Sequence, residues 1–230
     1  MSLRENGFAL VALDPVPGVV AAGFSGPPGP AVRLRMSWTA DDDWLFQSVP
    51  AAPAAPPAAS GAPYGGPDGG PDRRLAAGLS VLLRRALGGP WLDVHADRLI
   101  ELHRVRTVAP AGETVPVRLP GPVPGACEFA LVAVVARTGG GTGRSLLYGT
   151  GPRVPLVEAD PGPGRGLLFD RRVVAYDGHE LTAGPAGPAV QDLLVAHVLR
   201  PAGPQPALRR RPMLVRGPAG TLISTRPALR

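Results

Sequence analysis

Gly162 to Arg200 reads GPGRGLLFDRRVVAYDGHELTAGPAGPAVQDLLVAHVLR. Two apolar runs, GLLFD and QDLLVAHVLR, flank a polar segment around Asp177, Gly178 and His179, and the Gly/Pro cluster from Gly184 to Pro188 punctuates the chain before the second run. Apolar runs of this length between turn residues predict strands, with the polar segment as a turn. His179 is the one histidine of the chain whose neighbours resemble a site.

Working outward, the same grammar recurs. GFALVAL (Gly7 to Leu13) predicts a strand, and Pro15 to Pro30 a Gly/Pro loop. AVRLRMSW (Ala31 to Trp38) alternates, with Val32, Leu34 and Met36 on one face and Arg33, Arg35 and Ser37 on the other, as a half-buried strand does. Arg98 to Val108 reads as a strand with Leu99, Glu101, His103, Val105 and Thr107 on one side. EFALVAVVA (Glu128 to Ala136) is apolar on both faces, the pattern of a strand covered on either side, and so is the core strand. Gly139, Gly140, Gly141 and Gly143 predict a hairpin turn rather than a phosphate loop, because no helix follows. Short strands follow at Arg144 to Tyr148 and Val154 to Glu158.

One helix stands out, from Arg73 to Leu87, with Leu75, Leu79, Leu82 and Leu83 at helical spacing, Asp72 as its cap, and Gly88, Gly89 and Pro90 as its stop. Its apolar face predicts packing on a sheet. Before it, Val49 to Asp72 is almost wholly Ala, Pro and Gly, which buries too little surface to offset ordering entropy and predicts a flexible loop. Many short strands with one or two helices predict a mainly β fold: a double-stranded β-helix, or jelly roll, of the cupin-like kind. Residues 1–200 form its single domain. Residues 201–230 carry Arg209, Arg210, Arg211, Arg216, Arg226 and Arg230 with no acid, and predict an Arg/Pro-rich tail in which the MLV and TLIS runs have strand character.

Composition narrows the function classes. The apolar content of 44% supplies a core for 230 residues. The net charge of +6 comes entirely from Arg, with no Lys and a single Asn, Asn6, as in GC-rich genomes such as those of actinobacteria. These Arg are scattered and not interleaved with aromatics, so no nucleic-acid partner is expected. The first residues lack the uninterrupted apolar core of a signal peptide, and no stretch approaches the ~20 apolar residues of a membrane helix. A cytoplasmic protein with no membrane partner is expected. The lone Cys127 excludes an internal disulfide and reads as a buried, inert thiol.

Taken in order, ELHRVRTVAPAGETVP, CEFALVAVVARTGGGTGRSLLYG, GLLFDRRVVA, HELT and QDLLVAHV resemble the iron and 2-oxoglutarate dioxygenase family that includes bacterial free-amino-acid hydroxylases of the isoleucine dioxygenase type. The similarity runs from Leu99 to Leu199, with weaker support from GFALVAL, and it lies in the order of the segments rather than in any one of them. It implies a jelly roll, Fe(II) and 2-oxoglutarate as cofactors, and a small-molecule, amino-acid-like substrate. Counting back from Phe129, the family's iron-binding HxD falls on Val123, Pro124 and Gly125, so Val123 and Gly125 are degenerate ligand positions. The second iron histidine matches His179 with a four-residue insertion after Val174, and Ala175 without one. The arginine that pairs with 2-oxoglutarate falls on Gln191, which brings no charge. Since Fe(II) in this class takes two His and one carboxylate, the resemblance implies that both cofactor sites are lost or rearranged together.

Three functions remain open. The first is a tailoring protein, such as secondary metabolism uses, with Arg106, Tyr148, His179 and Gln191 converging on a pocket. The second is an active iron hydroxylase in which the literal HxD of His95 and Asp97 joins His179, although that motif lies one element early. The third is a non-catalytic relative that binds a ligand or partner. His103, in the position of the family's HxRI histidine, joins Arg106 as a pocket candidate. His197 reads as core, Glu128 and Glu113 have no spacing that pairs them with His179, and Ser145 has no base beside it in sequence.

Overall fold

The computed structural model describes residues 3–18, 20, 32–38, 44–48, 73–87, 98–120, 127–149, 155–200, 215–216 and 222–223. The predicted loop from Val49 to Asp72, the literal HxD at His95 and Asp97, the degenerate positions Val123 and Gly125, and most of the tail lie outside them. The chain divides into two compact units, Met1–Arg200 and Pro201–Arg230.

The larger unit begins with α1 (Leu3–Asn6), β1 (Phe8–Ala12), β2 (Val32–Trp38), β3 (Trp44–Ser48) and α2 (Arg73–Leu87). Eight strands follow: β4 (Arg98–Ala109), β5 (Thr114–Val117), β6 (Cys127–Thr138), β7 (Thr142–Gly149), β8 (Pro155–Ala159), β9 (Arg165–Asp170), β10 (Val174–Thr182) and β11 (Ala189–Leu199). They form a seven-stranded sheet, β1-β9-β6-β11-β4-β2-β3, and a four-stranded sheet, β5-β10-β7-β8, with antiparallel pairing throughout. This is the mainly β jelly roll that the strand and turn pattern predicts. In the smaller unit, β12 (Val215–Arg216) and β13 (Leu222–Ile223), which touch the MLV and TLIS runs, pair with each other.

Strand alternation divides the large sheet into two apolar faces. On β6, Phe129, Leu131, Ala133 and Val135 join Leu34, Met36, Ile100, Leu194 and Val198 in one cluster, and Leu79, Leu82, Leu83, Ala86 and Leu87 of α2 close over it. Each fully buried Leu there is worth about 1.5–3 kcal/mol. This explains why α2 is helical: its apolar stripe has a sheet to cover. The alternate residues of β6, Ala130, Val132 and Val134, point between the two sheets, where Leu147, Leu167, Phe169, Leu181 and Leu193 fill the middle of the roll. β6 is thus buried on both faces, as its unbroken apolar run requires.

One turn and one bulge depend on glycine. The β6–β7 hairpin turns through Gly139 and Gly140, both at positive φ, and a side chain on Gly139 would strike the Pro188 carbonyl. The segment expected to be a polar turn, Asp177 to His179, is instead part of β10. A bulge between Tyr176 and Gly178, with Gly178 at φ +152°, lets the strand pass through a polar stretch and keeps both Tyr176 and His179 facing inward.

Candidate functional site

Two polar groups occupy the interior of the roll, one at each end. They are six residues apart on β11, at Gln191 and His197, or about 20 Å at the rise of a strand. The apolar layer of Leu193, Leu147, Val132 and Leu167 lies between them.

At the hairpin end, His179 of β10 is buried and sandwiched between β5 and β7. Its Nδ1 lies 2.6 Å from Ser145 Oγ and its Nε2 2.5 Å from the Gln191 amide nitrogen. The amide orientation is fixed from the other side, because Arg137 Nε donates to Gln191 Oε1 at 2.9 Å. Gln191 therefore donates to His179 Nε2, which makes His179 the neutral Nδ1–H tautomer donating to Ser145. Arg137 is held in turn by Asp160 at 2.7 Å and by the Pro161 carbonyl at 3.0 Å. Burial, the largest cause, holds the His179 pKa down at about 4. Each nitrogen of the His179 ring thus has a partner, so both are spent.

That closure decides several expectations. Gln191 does sit beside His179, but the pair forms a sealed strut. Its neighbouring cation, Arg137, is already neutralised by Asp160. Ser145 has a base in space though none in sequence, yet His179 donates to it rather than drawing its proton, and both are buried. Arg106 shares the α2-facing parity of Ile100 and Leu102, where its Nε and Nη2 donate to the Asp192 carboxylate at 2.7 and 2.8 Å. Tyr148 has the opposite parity to the inward Leu147. The four pocket candidates of the first hypothesis are thus not brought together. Glu128 is engaged by Arg98 and Arg200.

At the other end the described residues leave space. A cavity of about 190 Å³ is lined by Leu119, Pro120, Phe169, Arg171, Tyr176 and His197, among others. His103 faces the same interior from β4, with its ring 5.3 Å from that of His197, and Glu101 pairs with His197 across the strands. Burial first, and then the nearby His103, hold the His197 pKa at about 4. Its Nδ1 is buried with no hydrogen bond among the described residues. Tyr176 is stacked on Phe169 at 5.4 Å, and burial pushes its hydroxyl pKa up. Cys127 is half-buried rather than buried as its sequence suggests, and that burial raises its thiol pKa to about 11.

Sequence reasoning missed this grouping. Its signal was present: Glu101 and His103 are two apart on one face of a predicted strand, and His197 shares a strand face with Gln191. What was lacking was the register that sets β11 beside β4.

No protein-family model matches the sequence, and no curated protein does. Among solved structures, IDO from Bacillus thuringiensis is similar with a TM-score of 0.56 and 13% identity over 87% of this chain and 92% of that one. The Fe(II)/α-ketoglutarate-dependent dioxygenase TqaL gives 0.53 and 10% over 87% and 84%. A BsmA homologue from Methylobium petroleophilum gives 0.51 and 17% over 86% and 90%. Among the described residues no helix is long and apolar enough to cross a membrane. At these identities the likeness is one of fold: this chain has the jelly roll of those three proteins, across most of its length and of theirs.

Proposed function

We propose that this protein is a divergent relative of the iron and 2-oxoglutarate dioxygenases, of the free-amino-acid hydroxylase type, that takes an amino-acid-like small molecule into the open end of its roll. The observation that carries this reading is the contrast of a sealed hairpin end with a cavity of about 190 Å³ at the mouth. That volume lies below the ~300 Å³ lower bound of drug-sized pockets, so the ligand is small. Arg171, exposed at the rim, supplies a cation for a carboxylate, and Tyr176 and the apolar Leu119 and Phe169 supply the wall for a side chain.

The family's iron and co-substrate sites do not fit these residues. Val123 and Gly125 carry no ligand atoms in their side chains, His179 has both nitrogens committed, and Gln191 accepts from an arginine already paired with an acid. A triad of His95, Asp97 and His179 has the same obstacle at His179.

The test is a thermal-shift and calorimetric screen of free amino acids against the full chain. Stabilisation by one or a few of them, lost in Arg171→Gln, is the expected result. Failure of every amino acid to bind, with and without added divalent metal, overturns the reading.

A further inference from the structure

From Glu101, His103 and His197 we infer a binding site for a divalent first-row transition ion on the inner wall of the mouth, at positions other than those where the resemblance places iron. It rests on the proposal that the mouth is the working end of the roll. One ligand atom from each of the three residues lies within 4.8 Å of the others. Two imidazoles and a carboxylate suit Fe(II), Co(II), Ni(II) or Zn(II) and leave coordination positions open.

The second observation is His197 itself. It is only 3% exposed, and its Nδ1 is buried without a hydrogen bond among the described residues. A buried orphan nitrogen destabilises a fold, so one that is kept beside a carboxylate and a second imidazole needs a reason. A metal ion supplies it. Glu101 is also buried.

Geometry adds a condition. Metal bonds of about 2.0–2.2 Å set tetrahedral ligand atoms about 3.4 Å apart, so the group must contract by up to about 1.4 Å on loading. The ring of His103, less buried than that of His197 and tilted 58° to it, has room to make that adjustment. The cavity against His197 provides the entry path.

Co(II) alone serves as the probe, read by its visible absorption and by calorimetry on the full chain at neutral pH. One Co(II) per chain is expected, with affinity falling at least ~10-fold in each of Glu101→Gln, His103→Gln and His197→Gln, and unchanged in Tyr148→Phe. Far-UV circular dichroism identifies any variant that fails to fold, and the partly exposed His103 is the variant least exposed to that risk. No Co(II) uptake by the folded wild type overturns the inference. So does uptake that all three variants retain, or that only His95→Gln or His179→Gln removes. No organic ligand enters this titration, so its failure is distinct from failure of the amino-acid screen.

Discussion

His179 and His197 are alike by every simple measure: both are almost fully buried, both face the interior of one roll, and burial holds both at a pKa of about 4. They differ in their nitrogens. Those of His179 are both satisfied, by Ser145 and by Gln191, whereas Nδ1 of His197 has no hydrogen bond among the described residues. A depressed pKa therefore marks burial and not chemistry, and hydrogen-bond accounting separates a strut from a candidate ligand.

The sharpest way to break this comparison is to delete each ring. His179→Ala leaves Ser145 and Gln191 without their partner and opens a cavity, so urea denaturation should show a loss of about 3–5 kcal/mol. His197→Leu removes an unsatisfied nitrogen while keeping an apolar wall, and the metal-free protein should stay within ~1 kcal/mol of wild type or gain stability. Equal large losses would show that the two rings have the same role.

Acid should act on both histidines alike. An imidazole with an unfolded pKa near 6.5 and a folded pKa of about 4 leaves stability untouched above ~6.5. Between ~6.5 and ~4 the unfolded chain takes up protons that the fold refuses, and stability falls by roughly 3 kcal/mol for each group before levelling. Urea midpoints measured from pH 7.5 to 4 should trace that descent, and His197→Leu should remove about half of it.

Smaller changes probe the sealed end alone. A methyl on Gly143 would meet the Arg137 guanidinium and crowd Gln191 Oε1, so Gly143→Ala should displace Arg137 and cost about 1–3 kcal/mol in thermal unfolding. Arg106→Gln, which removes a partly exposed pair with Asp192 on the other face, should cost under ~1 kcal/mol and alter neither end.

Most of the architecture was legible because it is periodic. The helix Arg73–Leu87 carries its own stripe and stop, and the unbroken run of β6 announces a strand covered on both sides. β10 was hidden because a bulge at Asp177 breaks its alternation within a polar stretch. The site was less legible, because its members meet only through register: Arg137 against Gln191, Glu101 against His197. Local sequence placed Glu101 and His103 on one face, but neither hydrogen-bond satisfaction nor cross-strand pairing is written in a window of ten residues. The resemblance drew attention to His179, and the structure moves it to the two histidines at the other end.

The central claim, that His179 is spent in hydrogen bonds whereas His103 and His197 take a metal ion, is tested most directly by long-range ¹H–¹⁵N correlation of the histidine rings with and without Zn(II). His179 should show a single Nδ1–H tautomer that zinc does not move, while the ring nitrogens of His103 and His197 shift together at one equivalent. Zinc-dependent shifts at His179, or none at His103 and His197, would contradict the account.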